Sequence, residues 1–315
     1  MIVKLFFRAL LPLVLLWLAV AQDGSAQKRA AADQWLAKPV DDRTFQNYLS
    51  FFTYDRRVPL DLRVLNTEER EGIRKEHLSF QSTPGVHVFA NFYRPTAALQ
   101  QKLGAVMLLP GGGPQGKDSP GVKLLAELFT RAGWNVLAMD MQYFGERSTD
   151  LLKTYSEEEK HEKLYNQPSA YLAFVTQTVK DVGRALDLLV EQRGVDPARV
   201  VLVGFSRGAI LAAVVGGADR RPAAVVLLYG GHFDALENGH LPAACPANYI
   251  GRISPRPLLM INGLEDTDMI RETSVAPLER LARQPKRILW AAGGHQLPAE
   301  EHRAAMLPWL RENVK

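Results

Sequence analysis

The sequence is poor in cysteine, in clustered charge and in long apolar runs, and each shortage narrows what the chain can be. Its 315 residues hold one cysteine, Cys245, so no disulfide can close within the chain and no structural zinc site can be built on thiolates. No histidine or cysteine pair has ligand spacing, so no metal is expected. The formal charge of +4 is spread along the chain instead of gathered in basic blocks interleaved with aromatics, which argues against nucleic acid as a partner. No apolar run reaches the ~20 residues that cross a bilayer comfortably. There is no internal repeat, and no low-complexity linker follows residue 46. With 47% hydrophobic and 23% charged residues, the composition is that of a globular protein large enough for one sizeable α/β domain, and disordered and collagen-like classes are excluded.

The opening MIVKLFFRALLPLVLLWLAVAQ places Lys4 and Arg8 before an apolar stretch at 9–20, which ends in Ala19-Val20-Ala21. Charged, apolar and small-x-small segments in that order form the pattern of a secretory signal peptide. The expectation is a signal peptide at 1–21, cleaved after Ala21, and a secreted or periplasmic protein with no stable membrane insertion; a retained anchor is the alternative. Residues 22–45, rich in Ala, Gln, Lys and Asp, read as an N-terminal extension, and 46–315 as the main domain.

Periodicity then sets the fold class. HLSFQS and VHVFANFYRP alternate with period two around Thr83-Pro84-Gly85, which predicts an antiparallel hairpin opening the sheet. After it, short β-rich runs at 104–110, 134–140, 199–205, 223–230, 257–263 and 287–293 alternate with longer amphipathic stretches. That alternation predicts a mostly parallel sheet with helices on both faces. Polar excursions at 145–168 and 232–255 fall beyond strand ends, where open α/β sheets bind ligands. The first has the place of a lid.

The chemistry concentrates at strand ends. Gly204-Phe205-Ser206-Arg207-Gly208 is G-x-S-x-G between a buried β-rich run and an Ala-rich helix, the setting that exposes a nucleophilic serine on a sharp turn. A serine there could also merely cap the helix. A nucleophilic serine needs a base, and the base needs an acid, following in the order Ser, Asp or Glu, His. The strand PLLMING leads into Gly263-Leu264-Glu265-Asp266, and RILWAAG into Gly294-His295. His295 is the favoured base over His232, His240 and His302. Asp266 is the favoured acid, with Glu265, Asp268 and Asp234 as alternatives.

From about Glu76 to the C-terminus the chain resembles the α/β-hydrolase fold serine hydrolases. Within them it is similar to the dienelactone hydrolase-like, acetyl xylan esterase-like and prolyl oligopeptidase-like branch, with LLPGGG, AMDMQYFGERS, GFSRGA, NGLEDTD and GGHQL at matching stations. It departs in two places: true dienelactone hydrolases use a cysteine where this chain has Ser206, and esterases with an HGGG loop have a histidine where it has Pro110. The resemblance implies a carboxylic ester hydrolase working through an acyl-enzyme on a small-molecule ester, without a cofactor. The rival readings are a peptidase of the prolyl oligopeptidase-like branch and a non-catalytic binding module. Too few residues precede the hairpin for a β-propeller gate, and a complete triad argues against a mere binding module.

The run LLPGGGPQGKDS nearly spells a phosphate loop, but Asp118 stands where Ser or Thr would ligate magnesium. It reads instead as an oxyanion site, with the backbone N–H of Gly112 joining that of Arg207. Lys117 and Asp118 then become loop or lid residues. The resemblance further implies that the loop after Asp140 packs under the elbow, with Asp140 and Arg147 charge-paired and Tyr143 lining the acyl pocket.

Overall fold

The computed structural model describes residues 34–296 and 300–315; the expected signal peptide lies outside the described residues. Among the described residues, nine strands form one sheet. They are β1 (Arg63–Arg70), β2 (Ile73–Thr83), β3 (Val86–Pro95), β4 (Ala105–Leu109), β5 (Asn135–Met139), β6 (Val200–Phe205), β7 (Ala224–Leu228), β8 (Leu258–Gly263) and β9 (Lys286–Ala291). Their spatial order is β1-β2-β3-β5-β4-β6-β7-β8-β9. The pairs β1/β2, β2/β3 and β3/β5 are antiparallel, and every pair from β5/β4 to β8/β9 is parallel. This is the α/β-hydrolase fold, and the six parallel strands fall where the β-rich runs predict them.

One strand was not legible in the sequence. β1, RVLNTEER, is exposed at every position, so it carries no apolar alternation to mark it, and the sheet opens with three antiparallel strands instead of two. Its charges suit an edge, because charged side chains keep an unpaired strand edge from recruiting another chain.

The parallel strands β4 to β8 are buried on both faces, and their alternation divides the core. Ala105, Met107 and Leu109 of β4 enter one apolar cluster, while Val106 and Leu108 enter the other. The first cluster is covered by α1 (Asp42–Leu49), α5 (Pro168–Gln192) and α6 (Arg207–Ala218). The second is covered by α2 (Pro120–Arg131) and α8 (Glu300–Asn313). The remaining helices are short: α3 (Asp150–Thr154) and α4 (Glu157–Lys160) in the polar excursion, and α7 (Ala276–Leu281) before β9. Within the segment read as an N-terminal extension, Trp35, Leu36 and Val40 pack on the first core and Phe45 is buried in it. Asp41 caps α1 by accepting from Thr44 N–H at 2.7 Å.

Candidate active site

Ser206 stands between β6 and α6 with φ +52° and ψ −121°, a conformation that L-residues avoid unless the surroundings impose it. The surroundings here are backbone. A Cβ on Gly204 would strike the Gly208 carbonyl, and a Cβ on Gly208 would strike the Leu109 and Pro110 carbonyls. Two glycines therefore let β4, β6 and α6 close tightly enough to hold the serine in this turn. Its N–H is anchored to the Leu228 carbonyl at 2.8 Å.

The loops after β8 and β9 bring Asp266 and His295 to the same place. His295 Nε2 lies 2.7 Å from Ser206 Oγ, and Nδ1 lies 2.8 Å from Asp266 Oδ2. A carboxylate only accepts, so Nδ1 carries the proton and Nε2 is left to accept from the serine hydroxyl. Asp266 is buried, and its other oxygen accepts from the N–H groups of Asp268 at 2.9 Å and Met269 at 2.8 Å. Burial alone would raise its pKa, but the His295 and backbone hydrogen bonds outweigh that and hold it below the usual carboxylate range.

Of the alternatives weighed from sequence, Asp234, His232 and His240 are held by other partners, and Asp268 lies beside His295 without meeting its Nδ1. Asp234 faces His161 and Arg207. Asp268 is exposed, 4.0 Å from His295 Nε2. His232 is buried beside Cys245, and His240 beside Glu237. Burial pushes the Cys245 thiol up to about 12, which leaves almost no thiolate to act as a nucleophile.

A cavity of about 450 Å³ opens over Ser206, lined among others by Gly112, Gly113, His161, Arg207, Asp268 and His295. Gly112 and Arg207 are neighbours on its wall: a Cβ on Gly112 would lie 3.6 Å from that of Arg207. Arg207 is the first residue of α6, so its N–H has no acceptor within its own helix. The excursion at 145–168 supplies part of the roof through Glu157, His161 and Tyr165, the last two on a π-helical turn, His161–Tyr165. Tyr143 is placed differently from its reading as an acyl-pocket residue. At φ +74° it stacks on Phe174, with ring centroids 6.0 Å apart, and lines a separate cavity with Phe144 and Leu152.

A further reading needs correction. Asp140 and Arg147 do not pair through their side chains. Asp140 is bound to Lys117 Nζ at 3.0 Å, whereas Arg147 reaches Asp181 at 2.6 Å and gives the Asp140 carbonyl a hydrogen bond at 3.1 Å. Lys117 lies in the loop after β4, as read. It is fully buried and its ammonium contacts Asp118, Asp140 and Glu146. Burial would lower its pKa, but those carboxylates outweigh the cost and hold it above the ordinary lysine value.

Sequence reasoning also missed a buried charge network behind the serine. The Arg207 guanidinium pairs with Asp234 and Glu237 and lies over the Tyr165 ring, 3.9 Å from its centroid. Burial would raise the Glu237 pKa, but Arg207 outweighs it and holds the carboxyl far below its ordinary value. His161 meets two pure acceptors, the Glu157 carbonyl and an Asp234 oxygen, both at 2.7 Å. Both ring nitrogens must then donate, so the ring is an imidazolium. A signal was present: an arginine heading the otherwise apolar RGAILAAVVGGA needs buried anions nearby, because an unpaired charge there would be prohibitive.

The fold is that of the α/β-hydrolases. Residues 90–284 match the model of the dienelactone hydrolase family, and the chain belongs to that family. Among curated proteins it is similar to the uncharacterized protein YfhR of Escherichia coli O157:H7, 31% identical over 130 residues, which cover 38% of this chain and 45% of that protein. The chain thus spans less than half the length of the curated relatives it matches. Among solved structures, an acetyl xylan esterase from Paenibacillus sp. R4 superposes with a TM-score of 0.68 at 17% identity, over 90% of this chain and 99% of that one. Acetyl xylan esterase 1 from a Thermoanaerobacterium species gives 0.64 at 14%, over 88% and 95%. At such identities the likeness establishes the fold.

Proposed function

We propose that the protein hydrolyses carboxylic esters through an acyl-enzyme, with Ser206 as nucleophile, His295 as base and Asp266 as the acid that orients it. The observation that carries this reading is the continuous hydrogen-bonded line from Asp266 through His295 to Ser206, at 2.8 and 2.7 Å. His295 Nε2 takes the Ser206 proton as Oγ attacks the ester carbonyl. The imidazolium formed is stabilised by Asp266 and returns the proton to the leaving alcohol; water then repeats the attack on the acyl-enzyme. The N–H groups of Gly112 and Arg207 are assigned to the developing oxyanion, where one such donor is worth ~3–4 kcal/mol. The Arg207 side chain is committed to Asp234 and Glu237, so its part is to fix the head of α6.

A fluorophosphonate probe should label the protein and fail on Ser206→Ala, which should also lose ester hydrolysis while keeping its circular dichroism spectrum. Activity surviving in a folded Ser206→Ala variant would refute the nucleophile. A panel of p-nitrophenyl esters and peptide amides tests the substrate class, with esters cleaved and amides spared; preference for amides would favour the peptidase. Export is proposed from the N-terminal pattern: the mature chain should begin near Gln22 outside the cytoplasm, and mass spectrometry recovering an intact Met1 from membranes would show an anchor instead.

A further inference from the structure

Asp268 is a charge at the cavity that the proposed triad does not use. Its carboxylate is 58% exposed, 4.0 Å from His295 Nε2, and it lines the cavity together with Ser206. The other carboxylates there are matched. Glu157 holds Lys160 at 2.6 Å, and Asp234 holds His161 and Arg207. Among the described residues, His295 is the cation-forming group within 4.0 Å of Asp268. The main chain that carries this carboxylate is held on both sides. The Asp268 N–H donates to Asp266 Oδ1 at 2.9 Å, and its carbonyl accepts from Ala235 N–H at 2.8 Å.

His295 Nε2 is the atom that protonates the leaving alcohol, so the alcohol oxygen must come within ~3 Å of it. With Asp268 Oδ2 at 4.0 Å from the same nitrogen, the leaving oxygen and the carboxylate are at most about 7 Å apart. A cation two carbons beyond that oxygen falls within direct reach of Asp268, and an anion there meets like charge. Phe205 lines the same cavity, and an aromatic face also favours a cation.

Resting on the nucleophile and base assigned above, we propose that Asp268 sets leaving-group specificity, and that the site favours esters whose alcohol carries an ammonium group. The partner charge is half-exposed, so the preference is moderate, about five- to tenfold at low ionic strength, and salt weakens it.

The test compares kcat/KM for acetylcholine with that for its uncharged isostere, 3,3-dimethylbutyl acetate, in the parent and in Asp268→Asn at low and high salt. The ratio is the readout, because any effect of residue 268 on His295 itself acts on both esters and cancels. The parent ratio should favour the cation by about five- to tenfold and shrink with salt. In Asp268→Asn it should approach one and lose its salt dependence. A parent ratio of one, or a ratio unchanged by the substitution, overturns the role of Asp268 while leaving the triad standing. Hydrolysis of the neutral ester surviving in Ser206→Ala would instead overturn the nucleophile, and this inference with it.

Discussion

Two aspartates two positions apart have unlike surroundings, and hydrogen bonds separate them. Asp266 is buried, with one oxygen on His295 and the other on two backbone N–H groups, whereas the Asp268 carboxylate reaches out toward the solvent side of the cavity. Changing Asp266 to Asn should cost on the order of 10⁴ in kcat, because an amide can stabilise the wrong imidazole tautomer. Asp234→Asn should cost far less, since Asp234 holds Arg207 and His161 and not His295; parallel kcat measurements on one activated ester decide it. Equal losses would place the acid elsewhere. The pH dependence follows from the same contacts. Asp266 has a lowered folded pKa, so its contribution to stability is present above the unfolded value of about 3.9 and is lost as pH falls through the folded one. His161 is the opposite case. Burial would lower its pKa, but Asp234 raises it overall, so its contribution is complete below about 6.5 and is lost as pH rises through the folded value. Thermal midpoints across that upper window should fall in the parent and stay flatter in His161→Gln.

At the scale of the element, the β6–α6 turn depends on what its neighbours leave out. Gly208→Ala would force a methyl group into the carbonyls of Leu109 and Pro110. Backbone cannot swing aside as a side chain can, so the expected cost is at or above the ~1–3 kcal/mol of an overpacked core. Urea unfolding and activity should fall together, and a fully active, equally stable variant would show that the turn is looser than drawn. The head of α6 has a second support in the pairing of Arg207 with Glu237 and Asp234. Removing one partner of a buried pair leaves a charge uncompensated and costs about 3–5 kcal/mol. Glu237→Ala should therefore lower the urea midpoint strongly although Glu237 does not line the cavity over Ser206.

The whole molecule assembles its site from strand ends that lie side by side only in the sheet. Gly112 follows β4, Ser206 follows β6, Asp266 follows β8 and His295 follows β9, and these strands neighbour one another through β7 in one parallel array. All four residues thus lie at the carboxyl edge, where loops converge and can vary without disturbing the core. The described residues before 46, which are 34–45, belong to the same body. Phe45 is buried and in edge contact with the Tyr249 ring, with centroids 5.5 Å apart. Phe45→Ala should cost about 3–5 kcal/mol in urea unfolding, and an unchanged midpoint would show that the segment is only loosely attached.

Period and punctuation in the sequence determined the hairpin, the six parallel strands and the long helices, because a strand buried on both faces must be apolar throughout and a helix on a sheet must be amphipathic. The strand-end positions of Ser206, Asp266 and His295 followed from the same alternation. What depends on side chains meeting across the sheet was decided only by the tertiary structure. β1 needed a partner strand to be recognised, since none of its own residues is buried. The burial of Lys117 is set by Asp140 and Glu146, 23 and 29 residues away, which take its ammonium. Arg147 found Asp181 on α5 instead of the nearby Asp140 side chain. Charge pairing depends on distance and burial, which a linear order of residues does not contain, whereas hydrophobic period is a property of that order itself.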